Sequence, residues 1–265
     1  MIPVGAHVGS GDPLGEAAAR GADLVQLFLS NPQSWKAPLP RADREALLSS
    51  GIQIYVHAPY LINVGSPNNR IRIPSRKILA DTLAAASAVG AAGVIVHGGH
   101  VGDDEDRAVG LERWRKALQS VELAVPVLLE NTAGGGNAIL RECDSYGPLW
   151  EVIGEFRVGA VVDTCHAWAA GEDMSTLIDR VRAATGKIDL VHCNDSRDPH
   201  GSNRDRHTNL GTGEIPPEVL AGVIRAAAAP VVVETPGEAE DHKADIAWVR
   251  RSLQSPVPGP QSDGG

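Results

Sequence analysis

One local pattern repeats along the chain. Short runs that are apolar at nearly every position alternate with longer segments in which apolar residues recur at helical spacing. Eight runs read as strands: 3–8 (PVGAHV), 23–29 (DLVQLFL), 52–58 (IQIYVHA), 93–98 (GVIVHG), 126–131 (PVLLEN), 159–164 (GAVVDT), 189–195 (DLVHCND) and 230–235 (PVVVET). Helical patterns lie near 13–21, 41–50, 75–91, 105–120, 146–156, 174–185, 216–228 and 238–253. Strands without a polar face that alternate with helices indicate a parallel sheet with its outer face covered. Eight such units in roughly 250 residues predict an α/β fold, a single-domain (β/α)8 TIM barrel over residues 1–253. An open doubly wound sheet is the alternative, but it usually has fewer strands, and no GxGxxG follows the first run. Residues 254–265, with the Pro/Gly/Ser-rich stretch "SPVPGPQSDGG", are expected to form a disordered tail.

Composition narrows the class. With 43% hydrophobic residues among 265, the chain can build a sizeable core. Its longest apolar runs, such as "AGVIVHGG", are too short to span a bilayer, so no membrane association is expected. The N-terminal "MIPVGAHVGS" has neither a basic region nor an apolar signal segment. Cys143, Cys165 and Cys193 are odd in number and form no CxxC pair, which points to a reduced, cytoplasmic protein. A monomer is the default expectation. The formal charge of −9 on its own argues against nucleic-acid binding, which needs a basic surface. That objection weakens if many acids are metal ligands, because bound divalent cations reverse the local field.

The chemistry gathers at the strand ends. Runs three to eight end in His57, His97, Glu130, Asp163, His192 and Glu234, while His7 lies on run one and Gln26 on run two. In a barrel the C-terminal strand ends converge on one face, where catalytic residues sit. One such histidine is ordinarily a hydrogen-bonded core residue. Buried carboxylates are almost never left unpaired, and desolvating three side by side is costly unless cations lie between them. Mixed His and carboxylate ligands without thiolates suit Zn²⁺, Mn²⁺ or Fe²⁺. Two further pieces extend the set. "DTCHAWAAGED" places His166 three residues beyond Asp163, and "SNRDRHTNLGTGEI" carries Asp205 and His207 on the loop after run seven. Three ligands with open positions form the pattern of a catalytic metal. Arg204 and Arg206, which flank Asp205, suit an anionic group on the substrate, phosphate above all.

Taken in order, "GAHVG", "YVHAPYLIN", "LLENTAGGG", "VVDTCHAWAAG" and "HCNDSRDPHGSNRDRHTNLGTGEI" resemble the endonuclease IV family of apurinic/apyrimidinic (AP) endonucleases, from about residue 4 to 236. The resemblance implies a zinc-dependent TIM barrel. Its partner would be double-stranded DNA containing abasic sites. It would cut the phosphodiester 5′ to the abasic site, leaving a 3′-hydroxyl and a 5′-deoxyribose phosphate. It implies three Zn²⁺ per chain. His57, His97 and Glu130 would hold one; Glu130 would bridge to a second held by Asp163, His192 and Glu234; and His166, Asp205 and His207 would hold the third. Glu130 and Glu234 would be catalytic, with Glu234 orienting the nucleophile. Paired metals stabilise both oxygens of an in-line displacement at phosphorus. Tyr60 and Leu61 match residues that wedge into the base stack, a role that needs an apolar surface to replace lost stacking.

Some positions depart from the family pattern. Gln33 stands where a basic DNA-contacting residue is frequent, which keeps a hydrogen bond and loses the charge. Trp168 and Glu172 are local variants. Cys193 reads as a small buried filler, His100 and His7 as supporting or phosphate-facing groups, and His200 and His242 as solvated surface residues. The rival reading is a metal-dependent TIM-barrel sugar isomerase or epimerase. That enzyme shares the fold and ligand types but has no need of the third trio or the "RDRH" loop.

Overall fold

The computed structural model describes residues 1–254, so from residue 255 onward the expected tail lies outside the described residues. Eight parallel strands close a barrel. They are β1 (Val4–His7), β2 (Leu24–Leu27), β3 (Gln53–His57), β4 (Gly93–His97), β5 (Val127–Glu130), β6 (Val158–Asp163), β7 (Leu190–His192) and β10 (Val231–Val233). Closure comes from β1 against β10, with Val4 opposite Val231. Outside the barrel, β8 (Asp195–Ser196) and β9 (His207–Thr208) form a small antiparallel pair. The helices α1 (Pro13–Arg20), α2 (Arg44–Ser49), α3 (Asn69–Ala88), α4 (Arg107–Ser120), α5 (Tyr146–Ile153), α6 (Thr164–Ala170), α7 (Leu177–Thr185), α8 (Pro217–Ala227) and α9 (Ala239–Gln254) surround it. Among the described residues no helix is long and apolar enough to cross a membrane.

Strand side chains alternate between faces with period two, and this places the polar strand ends. Leu24, Tyr55, Ile95, Leu128, Val161, Leu190 and Val232 form a separate buried cluster, one residue from each of seven barrel strands. Two positions further along the same strands, hence on the same inner face, stand Gln26, His57, His97, Glu130, Asp163, His192 and Glu234. The residues between them, Val25, Val56, Val96, Leu129, Val162, Val191 and Val233, belong to the larger core packed under the helices. An apolar layer therefore plugs the barrel, and a polar layer lies directly above it. On β1 the plug position is Gly5, where a Cβ would sit 1.8 Å from the Leu24 carbonyl oxygen, so only glycine lets β1 approach β2. Strand register then pairs His7 with Gln26, His97 with Glu130, and Asp163 with His192.

The structure differs from the sequence expectation in three elements. The segment between β6 and β7 holds two helices rather than one, because α6 starts on the last residue of β6: Asp163 caps it by accepting from the His166 N–H at 2.7 Å, and Gly171 closes it in the left-handed region. Helix α3 begins at Asn69, ahead of Pro74. A proline there forfeits one helical hydrogen bond, and a first turn capped by Asn68 carries the helix across it. The β8–β9 pair was also not expected. It is too short to show as a strand pattern.

Candidate metal centre

All nine predicted ligands meet at the C-terminal mouth of the barrel. Glu130, fully buried, is the hub. Its Oε2 lies 3.4 Å from His57 Nε2 and 3.3 Å from His97 Nε2. Its Oε1 lies 2.9 Å from His192 Nδ1 and 3.4 Å from His166 Nδ1. His192 Nδ1 is also 3.2 Å from Glu234 Oε2. Asp205 joins His166 of α6 and His207 of β9, 3.2 Å from His166 Nε2 and 3.0 Å from His207 Nε2. Ligand atoms lie within 4.8 Å of one another in the sets His57/His97/Glu130 and Glu130/Asp163/His192/Glu234, and likewise in Asp163/His166/His207 and Cys165/Asp205/His207. Glu130 thus belongs to two sets. Cys165, not considered from the sequence, borders the third region, where burial holds its thiol up at about 12.

Four of the five rings are fixed from behind. His57, His166 and His207 place Nδ1 against the main-chain carbonyls of Ala58 (2.7 Å), Asn131 (2.9 Å) and Glu234 (3.3 Å), which leaves Nε2 facing the site. His192 is turned the other way, with Nε2 2.7 Å from Gln26 Oε1. The carboxylates are anchored too. Asn194 donates to Asp163 Oδ2 at 2.7 Å, and the Glu234 N–H donates to Asn194 Oδ1 at 2.8 Å. Asn131 accepts from the Asp163 N–H. These amides stand next to or two residues after strand-end ligands, a polar signal the sequence did contain.

Electrostatics shows how tightly the groups are coupled. Burial alone would raise Glu130, but His192, His97 and His166 outweigh it and hold the carboxyl well below its usual range. Glu234 is likewise raised by burial and pulled down to about 2, chiefly by His192. Burial lowers His192, but Glu234 and Glu130 lift it to about 9. His207 reaches about 9 against the same burial through Asp205 and Asp163. Asp163, also fully buried, is raised by that burial. His7 falls to about 4, mainly because it is buried.

The donor set fits divalent cations. Glu130 Oε2 and His207 Nε2 are buried without a hydrogen-bond partner, although charged neighbours lie 3.0–3.4 Å away. They are close enough to pair but misaligned for hydrogen bonding, as expected of lone pairs aimed at a common point. Orphaned buried polar atoms are rare in native folds. Imidazole and carboxylate oxygen without thiolate suit Zn²⁺, Mn²⁺ or Fe²⁺ alike.

Around this centre the remaining predicted residues divide. Tyr60 is 56% exposed at the rim, with its ring packed at 5.2 Å from Phe28 and 5.4 Å from His57. Burial of its base lifts its hydroxyl to about 12, so it stays a phenol. Leu61 is half-buried beside it and lines the same groove of about 520 Å³, with Trp35, His97 and His100. Trp35 is 42% exposed there and was not singled out from the sequence. Gln33 is exposed in the same segment. Arg204 and Arg206 are both more than half exposed and are paired within the chain. Both bond the buried Asp198, Arg206 through Nε at 2.6 Å and through Nη2 as well. They splint the loop that carries Asp205. Trp168 Nε1 donates to the Asp198 carbonyl at 3.1 Å and ties that loop to α6. His242 is buried rather than solvated: it accepts from Arg20 Nε at 2.9 Å and lies 2.8 Å from the Thr235 carbonyl. His200 is exposed, as expected. A groove of about 740 Å³, lined by Trp168, Met174, Ile178 and Val223, contains none of the nine ligands. The smaller central cavity of about 230 Å³ contains six of them.

Fold and site together define a TIM barrel with an imidazole–carboxylate cluster at its mouth, and the family model described as a xylose isomerase-like TIM barrel matches residues 14–252. Probable endonuclease 4 from Mycobacterium tuberculosis (strain ATCC 25177 / H37Ra) is 59% identical over 252 residues, which is 95% of this chain and 99% of the relative. The Mycobacterium leprae protein of the same name is 56% identical over 93% of this chain and 97% of its own length. The crystal structure of endonuclease IV from Thermus thermophilus superposes with a TM-score of 0.82 at 30% identity, covering 95% of this chain and 99% of that one. The chain belongs to the endonuclease IV family. A D-tagatose 3-epimerase-like protein shares the fold at a TM-score of 0.77 and 16% identity, over 96% of this chain and 97% of that one.

Proposed function

We propose that this protein is a zinc-dependent, cytoplasmic DNA-repair endonuclease. It hydrolyses the phosphodiester 5′ to an abasic site in duplex DNA, leaving a 3′-hydroxyl and a 5′-deoxyribose phosphate. The observation that carries the reading is the fully buried Glu130 carboxylate, which has an unpartnered oxygen between two imidazoles. The relatives' name, endonuclease, supplies the substrate class. His57, His97 and Glu130 would hold one Zn²⁺. Glu130, Asp163, His192 and Glu234 would hold a second, and His166, Asp205 and His207 a third. When bound, such cations supply Lewis acidity toward a phosphodiester and make an attacking water acidic near neutral pH.

The chain's own groups do the rest. Glu130 and Glu234 remain ionised at neutral pH and so keep their lone pairs available. Glu234 is gripped by Gln26 on Oε1 and faces His192 with Oε2, which suits it to orient a nucleophile over the cluster. Tyr60 and Leu61 offer the apolar surface that replaces stacking when the duplex is kinked at a missing base. Gln33 lies in the segment leading to Trp35, on the same rim. All nine ligands come from one chain, which supports a monomeric enzyme.

The decisive experiment incubates zinc-replete protein with a duplex carrying one tetrahydrofuran abasic analogue and identifies both ends. A single cut yielding a 3′-hydroxyl and a 5′-phosphorylated analogue is expected. An intact duplex, together with epimerisation of a ketohexose, would transfer the protein to the sugar-isomerase class.

A further inference from the structure

The structure assigns Gln26 as the positioning residue that sets which nitrogen of His192 faces the metal centre; this inference rests on the metal-centre reading above. Gln26 is fully buried on the inner face of β2, two residues above Leu24 in the apolar plug. Its amide reaches three other strands. Nε2 donates to Glu234 Oε1 at 2.5 Å, just beyond β10, and lies 3.0 Å from His7 Nδ1 on β1. Oε1 lies 2.7 Å from His192 Nε2 on β7.

This wiring leaves one consistent orientation. Flipping the amide would set its carbonyl oxygen against the Glu234 carboxylate, acceptor against acceptor. The carboxylate therefore fixes the amide, and the amide oxygen requires a proton on His192 Nε2. His192 Nδ1 is left facing Glu130, Glu234 and Asp163, at 2.9, 3.2 and 4.0 Å. A histidine ligand is commonly fixed by the hydrogen bond its other nitrogen makes. For His57, His166 and His207 that partner is a main-chain carbonyl, which no substitution removes. For His192 it is a side chain. Gln26 also holds Glu234, a second proposed ligand of the same cation, so one amide orders two members of the set Glu130/Asp163/His192/Glu234.

The test uses the full-length, zinc-loaded protein with ¹⁵N-labelled histidine, alongside Gln26→Met and Gln26→Glu. Long-range ¹H–¹⁵N spectra report which nitrogen of each ring carries the proton, and the His192 signals are assigned by their loss in His192→Asn. In the parent, His192 carries its proton on Nε2, opposite to His57, His166 and His207. Gln26→Glu keeps the acceptor toward His192, and with it that tautomer, while setting a second carboxylate against Glu234 Oε1. Gln26→Met keeps the bulk but loses the tautomer preference, and against a graded chelator it gives up one class of zinc about ten- to a hundredfold more readily. Zinc held by His166, Asp205 and His207 is unchanged. A parent His192 protonated on Nδ1, or a Gln26→Met protein that keeps zinc and tautomer alike, overturns the inference. If Gln26→Met does not fold, the parent spectrum decides alone. A parent that takes up no zinc sinks both the functional reading and this inference. A parent that binds zinc and cuts the abasic duplex while His192 ligates through Nε2 sinks only the inference.

Discussion

The sharpest consequence of the centre's layout concerns Glu130→Gln compared with Asp205→Asn. Glu130 is shared by the His57/His97 set and the Asp163/His192/Glu234 set, whereas Asp205 pairs with His166 and His207 in the third region. Removing the shared charge should empty two positions; removing Asp205 should empty one. The energetic difference follows from linkage. With free zinc about a thousandfold above its dissociation constant, each occupied site adds roughly 4 kcal/mol to folding stability. Glu130→Gln then forfeits about 8 kcal/mol and Asp205→Asn about half as much. For a domain of this size each kcal/mol moves the melting temperature by roughly 2–4 °C, so the two variants separate by about 8–16 °C.

Elemental analysis of zinc per chain, paired with calorimetric melting at fixed free zinc, measures both quantities. The parent should carry about three zinc ions, Asp205→Asn about two and Glu130→Gln about one, from the ligand sharing described above. Cleavage of an abasic duplex should fall more than about a hundredfold in each variant, because every proposed cation faces the same small cavity. Equal zinc loss in the two variants would refute the shared-carboxylate layout, even if both were inactive.

Three other outcomes follow. Tyr60→Ala combined with Leu61→Ala should weaken binding of the abasic duplex by about 10–100-fold, the scale of losing one aromatic–base stack, with zinc content unchanged; parallel loss of zinc would make the pair structural instead. In zinc-stripped protein, His192 and His207 titrate near 9 against 6.5 in the unfolded chain. Their contribution to stability is complete below pH 6.5 and is lost as the pH rises through 9, so the melting temperature should drop across that window. His7, lowered to about 4, acts only below it. Zinc-loaded protein should not show the drop, since ligation needs the neutral rings; a flat apo profile on thermal scans would contradict the pairing. Finally, Asp198→Asn frees the guanidiniums of Arg204 and Arg206. The slope of log binding constant against log salt for duplex DNA should then steepen by about one per added phosphate contact. An unchanged slope would mean the arginines do not reach the backbone.

The barrel was legible because its strands are short, apolar and regularly spaced, and period two was already present in them: Leu190 and His192, or Val232 and Glu234, share a face by parity alone. Elements that owe their form to tertiary contact were hidden. Helix α6 depends on Asp163 acting as its cap, which looks like a strand end in the sequence. The β8–β9 pair exists because Asp195 gathers the N–H groups of Gly211, Gly213 and Ile215, a local network with no periodic trace. The nine side chains named from the strand ends and the two loops do meet at one mouth. The pairing of the arginines with Asp198 was hidden because that residue is buried by a loop whose path the sequence does not reveal. His242 was misjudged because its partners, Arg20 and Thr235, come from distant parts of the chain.

The net charge of −9 now reads differently. Four of the acids, the buried or half-buried Glu130, Asp163 and Glu234 and the exposed Asp205, lie in the cluster. Balanced by three divalent cations, those four carboxylates would leave the mouth cationic by about two charges, inside walls of low dielectric where a charge acts at longer range. An acidic chain can therefore present a cationic mouth to a polyanion. On the proposed reading, the recognition surface would be supplied less by lysines and arginines, many of which pair within the chain as in Arg206–Asp198 and Arg113–Glu105, than by bound cations and the aromatic rim above them. Binding and cleavage would then share one physical origin, because the groups proposed to hold the cations would also determine whether DNA is attracted at all.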